Sequence, residues 1–266
     1  MTDLIRDRLN IGNAVERILP EEEPQGIVSI HLKRYEFAAS YCSGKNVLDA
    51  ATGVGYGAYY LSQVCDMPKA LSSAYRVVGI DIDPVAIDYG KSKYRSHNLQ
   101  LEIADVTQTT FADYQFDVIC SFETIEHLPN IPAYLQEMLR LLKPTGVYIV
   151  STPQVAKTDR NPENPYHYVE FCRPDFETLL KQYFGEVEMY GQRRHQSELH
   201  YWLIKIADFI GIRKYWGKLH KLRQSANKVL QTTTFESMSL DDILISKEKI
   251  ERASEMIAVC RNPKYL

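Results

Sequence analysis

Asn46-Val47-Leu48-Asp49-Ala50-Ala51-Thr52-Gly53-Val54-Gly55-Tyr56-Gly57 decides how the chain folds. Val47 and Leu48 form a short apolar run that ends on a carboxylate, Asp49. Glycines at every second position follow, and a helical pattern opens near Tyr56. This order predicts a strand, a tight turn and a helix. Glycine permits left-handed backbone and close approach of the main chain to a ligand, and the helix N-terminus beyond it offers unpaired N–H groups. A dinucleotide turn spaces its glycines as G-x-G-x-x-G and seats a pyrophosphate on the helix. Here the third glycine comes two residues after the second, and Asp49 would repel a pyrophosphate. A carboxylate at that place suits a cationic ligand with an amino group.

Outward from this turn the chain alternates strand and helix. Strands are predicted over 46–50, 76–82, 99–104, 116–121 and 147–151, with helices over 57–64, from Pro84, and over 131–142. Pro84 suits a first helical turn and Asp83 suits the N-cap before it. Lys143-Pro144-Thr145-Gly146 closes the helix over 131–142. Such alternation of short apolar strands with helices argues a parallel, doubly wound sheet. Farther on, 174–183 reads as helix, and 187–191 and 256–261 read as strands that pair antiparallel and close the sheet. Upstream, residues 27–42 have helical spacing, with Ile27, Ile30, Phe37, Ala38 and Tyr41 on one face and Arg34 interrupting it. His31, Arg34 and Tyr35 fall on neighbouring positions of successive turns.

The expected architecture is therefore α/β and Rossmann-like, a doubly wound, mostly parallel sheet with an antiparallel last strand. An N-terminal helical cap (1–45) precedes the core (46–191), a helical insertion (192–254) follows, and 255–266 supplies the final strand. The chain's 266 residues, 45% of them hydrophobic, suffice for one such core with an appendage. A net charge of −3 gives no whole-chain basic signature for nucleic acid. The five cysteines, Cys42, Cys65, Cys120, Cys172 and Cys260, are odd in number and form no C-x-x-C pair, so they read as reduced thiols of a cytoplasmic protein. Met1 to Pro20 lacks the apolar centre of a signal peptide, and no apolar run reaches the ~18 residues of a membrane span.

The predicted strands end on or beside acids: Asp49, Asp81, Asp105 and, after the fourth, Phe122-Glu123. In an open α/β sheet ligands sit beyond the carboxyl ends of the strands, where strand order reverses. A single aspartate at a strand end also serves as a helix cap, but several in register with a glycine turn point to a ligand. With Phe116-Asp117-Val118 leading to Glu123-Thr124-Ile125-Glu126-His127, and with Leu142-Lys143-Pro144-Thr145-Gly146, the pattern resembles the class I S-adenosylmethionine (SAM) methyltransferases across roughly 46–153. Thr145 stands where a second glycine is commoner. Glu16-Arg17, His31-x-x-Arg34-Tyr35 and Pro165-Tyr166-His167-Tyr168-Val169-Glu170-Phe171 are similar to a bacterial subgroup that accompanies polysaccharide synthesis.

The resemblance implies SAM as cofactor and gives each residue a task. Gly53 and Gly55 form the turn, Asp49 reaches the methionyl amino group directly or through water, and Asp81 accepts from the ribose hydroxyls. Asp105 accepts from the adenine amine, and Ile82, Val106 and Phe122 flank the purine. Tyr35 joins this set from a helix that can fold over the pocket. Methyl transfer to a hydroxyl profits from a base near neutrality. His127, after the fourth strand, is the first candidate and His167, after the fifth, the second; each could equally make a structural hydrogen bond. The expected activity is O-methylation of a sugar hydroxyl in glycan or nucleotide-sugar metabolism. The alternatives are a phenol or quinone O-methyltransferase and a SAM-binding protein without turnover. No metal is part of the expected site, although Glu123, Glu126 and His127 also resemble the divalent-ion segment of some methyltransferases acting on polyprenylated catechols. No N/D-P-P-Y/F segment of amino-group methylation follows the fourth strand.

The 192–254 stretch is least like the family. Leu199, Trp202, Leu203, Ile206, Phe209 and Ile210 form an apolar helical stripe. Between Gln192 and Thr232, nine Lys/Arg stand against Glu198 and Asp208, a net +7. The stretch reads as a lid or homodimer helix, or as a basic face for an anionic acceptor or membrane surface; reversing Lys214, Lys218 and Lys221 to Glu would then raise the acceptor KM.

Overall fold

The computed structural model describes residues 18–64, 76–195 and 238–265. In chain order the elements are α1 (Gln25–Cys42), β1 (Val47–Ala50), α2 (Tyr56–Val64), β2 (Val77–Asp81), α3 (Pro84–Lys93), β3 (Leu99–Ile103), β4 (Phe116–Phe122), α4 (Ile131–Leu141), β5 (Leu142–Pro153), α5 (Arg173–Tyr183), β6 (Phe184–Arg194), β7 (Ile243–Ser246) and β8 (Glu255–Pro263). They form one eight-stranded sheet in the order β3-β2-β1-β4-β5-β8-β6-β7. The five strands from β3 to β5 are parallel, as expected of short apolar strands joined by helices. β8 runs antiparallel to both β5 and β6, pairing Val187 with Cys260. Strand order reverses between β1 and β4, so the crevice of the fold opens beyond Ala50, Asp81 and Phe122.

Both faces of the sheet are packed, and successive strand residues alternate between them. Leu48, Val78, Ile119, Tyr148, Val150, Ala258 and Cys260 face α4 and α5, where Tyr134, Leu135, Met138, Phe176 and Leu180 meet them. Val47, Val77, Val118, Ile149, Ile257 and Val259 face Tyr35, Ala38, Ala58 and Leu61 of α1 and α2. The helix caps follow the sequence. Asp83 accepts from the Val85 N–H at 2.8 Å with Pro84 opening α3, and Asn130 accepts from Ala133 to open α4. No helix among the described residues is long and apolar enough to cross a membrane.

The structure departs from the expected elements in three places. β5 begins at Leu142, directly after α4, because Leu142 already pairs with Phe116; residues 143–146 then shift the register instead of forming a separate turn. The ends of the 192–254 stretch belong to the sheet: β6 runs on to Arg194, and Ile243–Ser246 pairs with it as an edge strand. Finally, α1 buries Ser29, Arg34, Tyr35, Ala38 and Cys42, while Ile27, Ile30, Phe37 and Tyr41 stay partly exposed. Arg34 thus belongs to the buried face. The basic, tryptophan-containing segment between residues 196 and 237, with the lid, dimer and anion readings placed on it, lies outside the described residues.

Candidate active site

The turn after β1 is built on three left-handed residues, Ala51 (φ 62°), Gly53 (φ 60°) and Gly55 (φ 86°). Asp81, at the end of β2, closes it: one carboxylate oxygen accepts from the Gly53 N–H at 2.9 Å and the other from the Asp83 N–H at 3.0 Å. A carboxylate has about four lone-pair directions, so Asp81 can still accept from a ligand. Gly57 has a different task. A Cβ there would lie 1.9 Å from Cζ of Tyr35, so the missing side chain is the seat of the Tyr35 ring. That ring also meets Phe122 edge-on at 4.9 Å and Tyr56 at 5.9 Å.

Asp49 is fully buried below this turn. It accepts from the Tyr35 hydroxyl and from Thr52 Oγ1. Burial and the nearby Asp81 charge raise its pKa to about 7 against the pull of those bonds. It does not line the cavity; in this structure it supports Thr52 and Tyr35, which do.

Beyond the strand ends lies a cavity of about 400 Å³. Of the sequence candidates, Tyr35, Gly53, Asp81, Ile82, Asp105, Val106, Phe122 and His127 line it; Asp49, Gly55 and His167 do not. Ile82 is 67% exposed there, an apolar side chain held in the open beside Ala104, Val106 and Leu128. Asp105 is exposed and accepts from the N–H and hydroxyl of Thr107. One end of the cavity thus offers an apolar slot between acceptors, which suits a purine and a ribose.

The other end is polar. Glu123 adopts left-handed backbone (φ 50°), uncommon for its type, and accepts from Ser151 Oγ at 2.6 Å. The chain then turns through a short 3₁₀ segment, Ile125–His127. His127 Nδ1 lies 2.9 Å from the Tyr166 carbonyl. A carbonyl only accepts, so Nδ1 carries the proton and Nε2 is the basic nitrogen. His167 Nδ1 contacts Glu170 at 2.8 Å, its Nε2 lies 3.1 Å from the Asn164 amide nitrogen, and its ring meets that of His127 edge-on at 4.8 Å. Glu126 is buried; burial and the Glu123 charge raise its pKa well above the usual carboxylate range.

Among the wall residues outside the sequence candidates are His31, Tyr56 and Tyr166. His31 was visible as part of the His31–Arg34–Tyr35 cluster. Burial and the Arg34 charge hold its pKa well below the ordinary value. Arg34 Nη2 donates to His31 Nδ1 at 2.9 Å, which puts the imidazole proton on Nε2. Gln192 of β6 accepts from Arg34 and donates to the Ile30 carbonyl, fixing this corner of α1. Tyr56 and Tyr166 stood in the quoted segments without a role of their own, since each needs the fold to bring it to the crevice.

Residues 42–207 match the family model described as "methyltransferase domain". The chain belongs to the class I SAM-dependent methyltransferases. Its cofactor is SAM, in agreement with the apolar slot and acceptors of the cavity. A Mycolicibacterium smegmatis protein named "probable S-adenosylmethionine-dependent methyltransferase" is 31% identical over 157 residues, 58% of this chain and 57% of that one. A phosphoethanolamine N-methyltransferase from Triticum aestivum is 31% identical over 59% of this chain and 28% of its own. The chain therefore spans about half the length, or less, of these curated relatives. Among solved structures, a Thermotoga maritima SAM-dependent methyltransferase superposes with a TM-score of 0.56 at 11% identity, covering 89% of this methyltransferase and 92% of that chain. A [4+2]-cyclase superposes at 0.53 and 13%, covering 98% and 93%. At such identities these two likenesses concern the fold alone.

Proposed function

We propose that the protein methylates a hydroxyl of a small polar acceptor, a sugar hydroxyl of glycan or nucleotide-sugar metabolism. SAM, when bound, supplies a methyl on a cationic sulfur, and the C–S electron pair stays on the sulfur when the methyl leaves. The observation that carries the reading is His127: an imidazole on the cavity wall whose Nδ1–H is committed to the Tyr166 carbonyl, so that Nε2 is its basic nitrogen. It takes the acceptor proton as the oxygen attacks, a contribution of typically ~10²–10⁴-fold. His31, neutral and protonated on Nε2, is a donor that orients an acceptor oxygen. Positioning supplies the larger part, up to ~7–11 kcal/mol of barrier. Glu123, Thr124, His127 and Tyr166 make the acceptor end polar, which favours a polyhydroxy compound over an apolar one.

The Triticum aestivum relatives favour a second reading, methylation of an amine, with the Glu123 carboxylate beside the incoming nitrogen. The test is S-adenosylhomocysteine (SAH) formation by purified protein on nucleotide sugars, glycan fragments, catechols and ethanolamine phosphates. Turnover on sugars that His127→Ala reduces at least 100-fold supports the first reading. Turnover on amines alone replaces it. SAH binding without turnover on any of them points to a non-catalytic SAM-binding protein.

A further inference from the structure

The side chains of Glu126, His127 and His167 each bring a ligand-type atom within 4.8 Å of the other two. They come from separate places: the 3₁₀ turn after β4, and the loop between β5 and α5. Each is anchored through its other polar atom. His127 Nδ1 donates to the Tyr166 carbonyl, and His167 Nδ1 contacts the Glu170 carboxylate. Glu126 Oε2 accepts from Thr152 Oγ1 at 3.0 Å. A histidine whose Nδ1–H is held by a carbonyl or carboxylate is the arrangement that orients Nε2 toward a metal. Glu126 Oε1 is the telling atom. The side chain is 1% exposed, that oxygen has no hydrogen-bond partner, and it lies 4.0 Å from His127 Nε2. A buried carboxylate oxygen left so is costly unless something cationic meets it.

We infer that Glu126, His127 and His167 form a two-histidine, one-carboxylate site for a divalent first-row transition ion at the acceptor end of the cavity. Two imidazoles favour Mn²⁺, Fe²⁺, Co²⁺ or Zn²⁺ over Mg²⁺, which prefers oxygen ligands. This differs from the Glu123-Glu126-His127 set suggested by sequence: Glu123 is bonded to Ser151 instead, and His167 replaces it. Ligation at ~2.1 Å brings the donors to about 3–3.5 Å of one another, a closure of up to about 1.3–1.8 Å from separations of at most 4.8 Å, which displaces the Asn164 amide from His167 Nε2. Of the three ligands, His127 lines the cavity. The inference rests on the methyltransferase reading and changes one residue's role within it. An acceptor hydroxyl bound to the ion loses its proton to water. The oxygen's pair forms the new C–O bond, the C–S pair stays on sulfur, and His127 is then a ligand, not the base.

The test uses the whole protein stripped with EDTA and dialysed. Mn²⁺ is titrated in, with the free ion followed by electron paramagnetic resonance, and Co²⁺ is followed by its d–d absorption. One ion per chain is expected, weakened at least 100-fold in His167→Ala and 10–100-fold in Glu170→Gln, which leaves the donors in place. Circular dichroism checks that both variants fold, and the Co²⁺ spectrum of the unaltered protein answers independently of them, since imidazole ligation shifts its bands from those of the aqueous ion. No binding at millimolar Mn²⁺, an aqueous-type Co²⁺ spectrum, or unchanged affinity in folded His167→Ala overturns the inference. SAH binding to the stripped protein, measured by calorimetry, separates the two ideas. SAH bound with no ion taken up removes the metal and keeps the methyltransferase reading with His127 as base; an ion bound without SAH removes that reading.

Discussion

Gly57→Ala should be among the most damaging single-methyl additions in this protein, although Gly57 lies in a helix where alanine is intrinsically favoured. The new Cβ would sit 1.9 Å from Tyr35 Cζ and 2.3 Å from both Cε atoms. The ring cannot retreat easily, because it is 5% exposed and packed against Phe122 and Tyr56. Overpacking of this kind costs ~1–3 kcal/mol. Moving the ring also breaks its hydroxyl bonds to buried Asp49, worth ~0.5–1.5 kcal/mol while that carboxyl is neutral, below about pH 7. Replacing glycine by alanine in a helix returns ~1 kcal/mol. The net loss is therefore about 0.5–3.5 kcal/mol, measurable by urea denaturation, with weaker SAH binding because Tyr35 lines the cavity. The decisive assay is a double-mutant cycle. In a Tyr35→Ala background, Gly57→Ala should stabilise by up to ~1 kcal/mol, which gives a coupling of about 1.5–4.5 kcal/mol when that gain is realised in full. If the two substitutions add independently, Gly57 does not exist to seat Tyr35 and the reasoning fails.

Asp49 should give the SAM-free protein an unusual pH response. Its carboxyl stays protonated to about pH 7 when folded but ionises near the ordinary value of 3.8 when unfolded. The folded state thus holds the extra proton between those values, so this group's stabilising contribution falls as pH rises from about 4 to 7. Asp49→Asn should flatten that limb in a stability–pH series; an equally steep limb in the variant would assign it to another group. Ala51→Gly should stabilise by roughly 1 kcal/mol, because Ala51 holds a left-handed backbone at φ 62°; a fall in melting temperature would show the strain is absent. His127→Ala should lower kcat at least 100-fold while SAH affinity stays within threefold, and parallel losses in both would mean that the side chain shapes the cofactor end instead.

The parts of the fold legible in sequence were those carried by local chemistry. Val47-Leu48 and Val77-Val78 read as buried strands because both faces of the sheet are covered, and Asp83-Pro84 read as a helix start because cap and first turn lie next to each other. Asp81, Ile82, Asp105, Val106 and Phe122 were placed at the cavity by their position after a strand, which is a matter of counting. What escaped depends on partners distant in the chain. Arg34 looked like a break in an apolar stripe until Gln192 and His31 received it. Gly57 looked like part of a ligand-binding turn until Tyr35 filled the space beside it. Ile243–Ser246 is four residues long, and only β6 alongside makes it a strand. The depth of Asp49 below the turn is a property of packing and was not legible from its place in the motif.

The placement of β8 has a consequence for synthesis. This strand follows β7 in the chain but lies between β5 and β6 in the sheet. While the polypeptide emerges from the ribosome, the parallel half from β3 to β5 can assemble, but the outer edge of β5 has no partner until residues 255–263 appear. β6 and β7 can pair with each other during that interval, yet they cannot join the sheet. Gln192 sits on β6, and through it Arg34 and His31 are held. A nascent chain stalled before residue 255 would therefore have its glycine turn and Asp81 in place, but an unanchored His31 corner and an exposed, apolar β5 edge, the kind of surface that chaperones and neighbouring nascent chains capture.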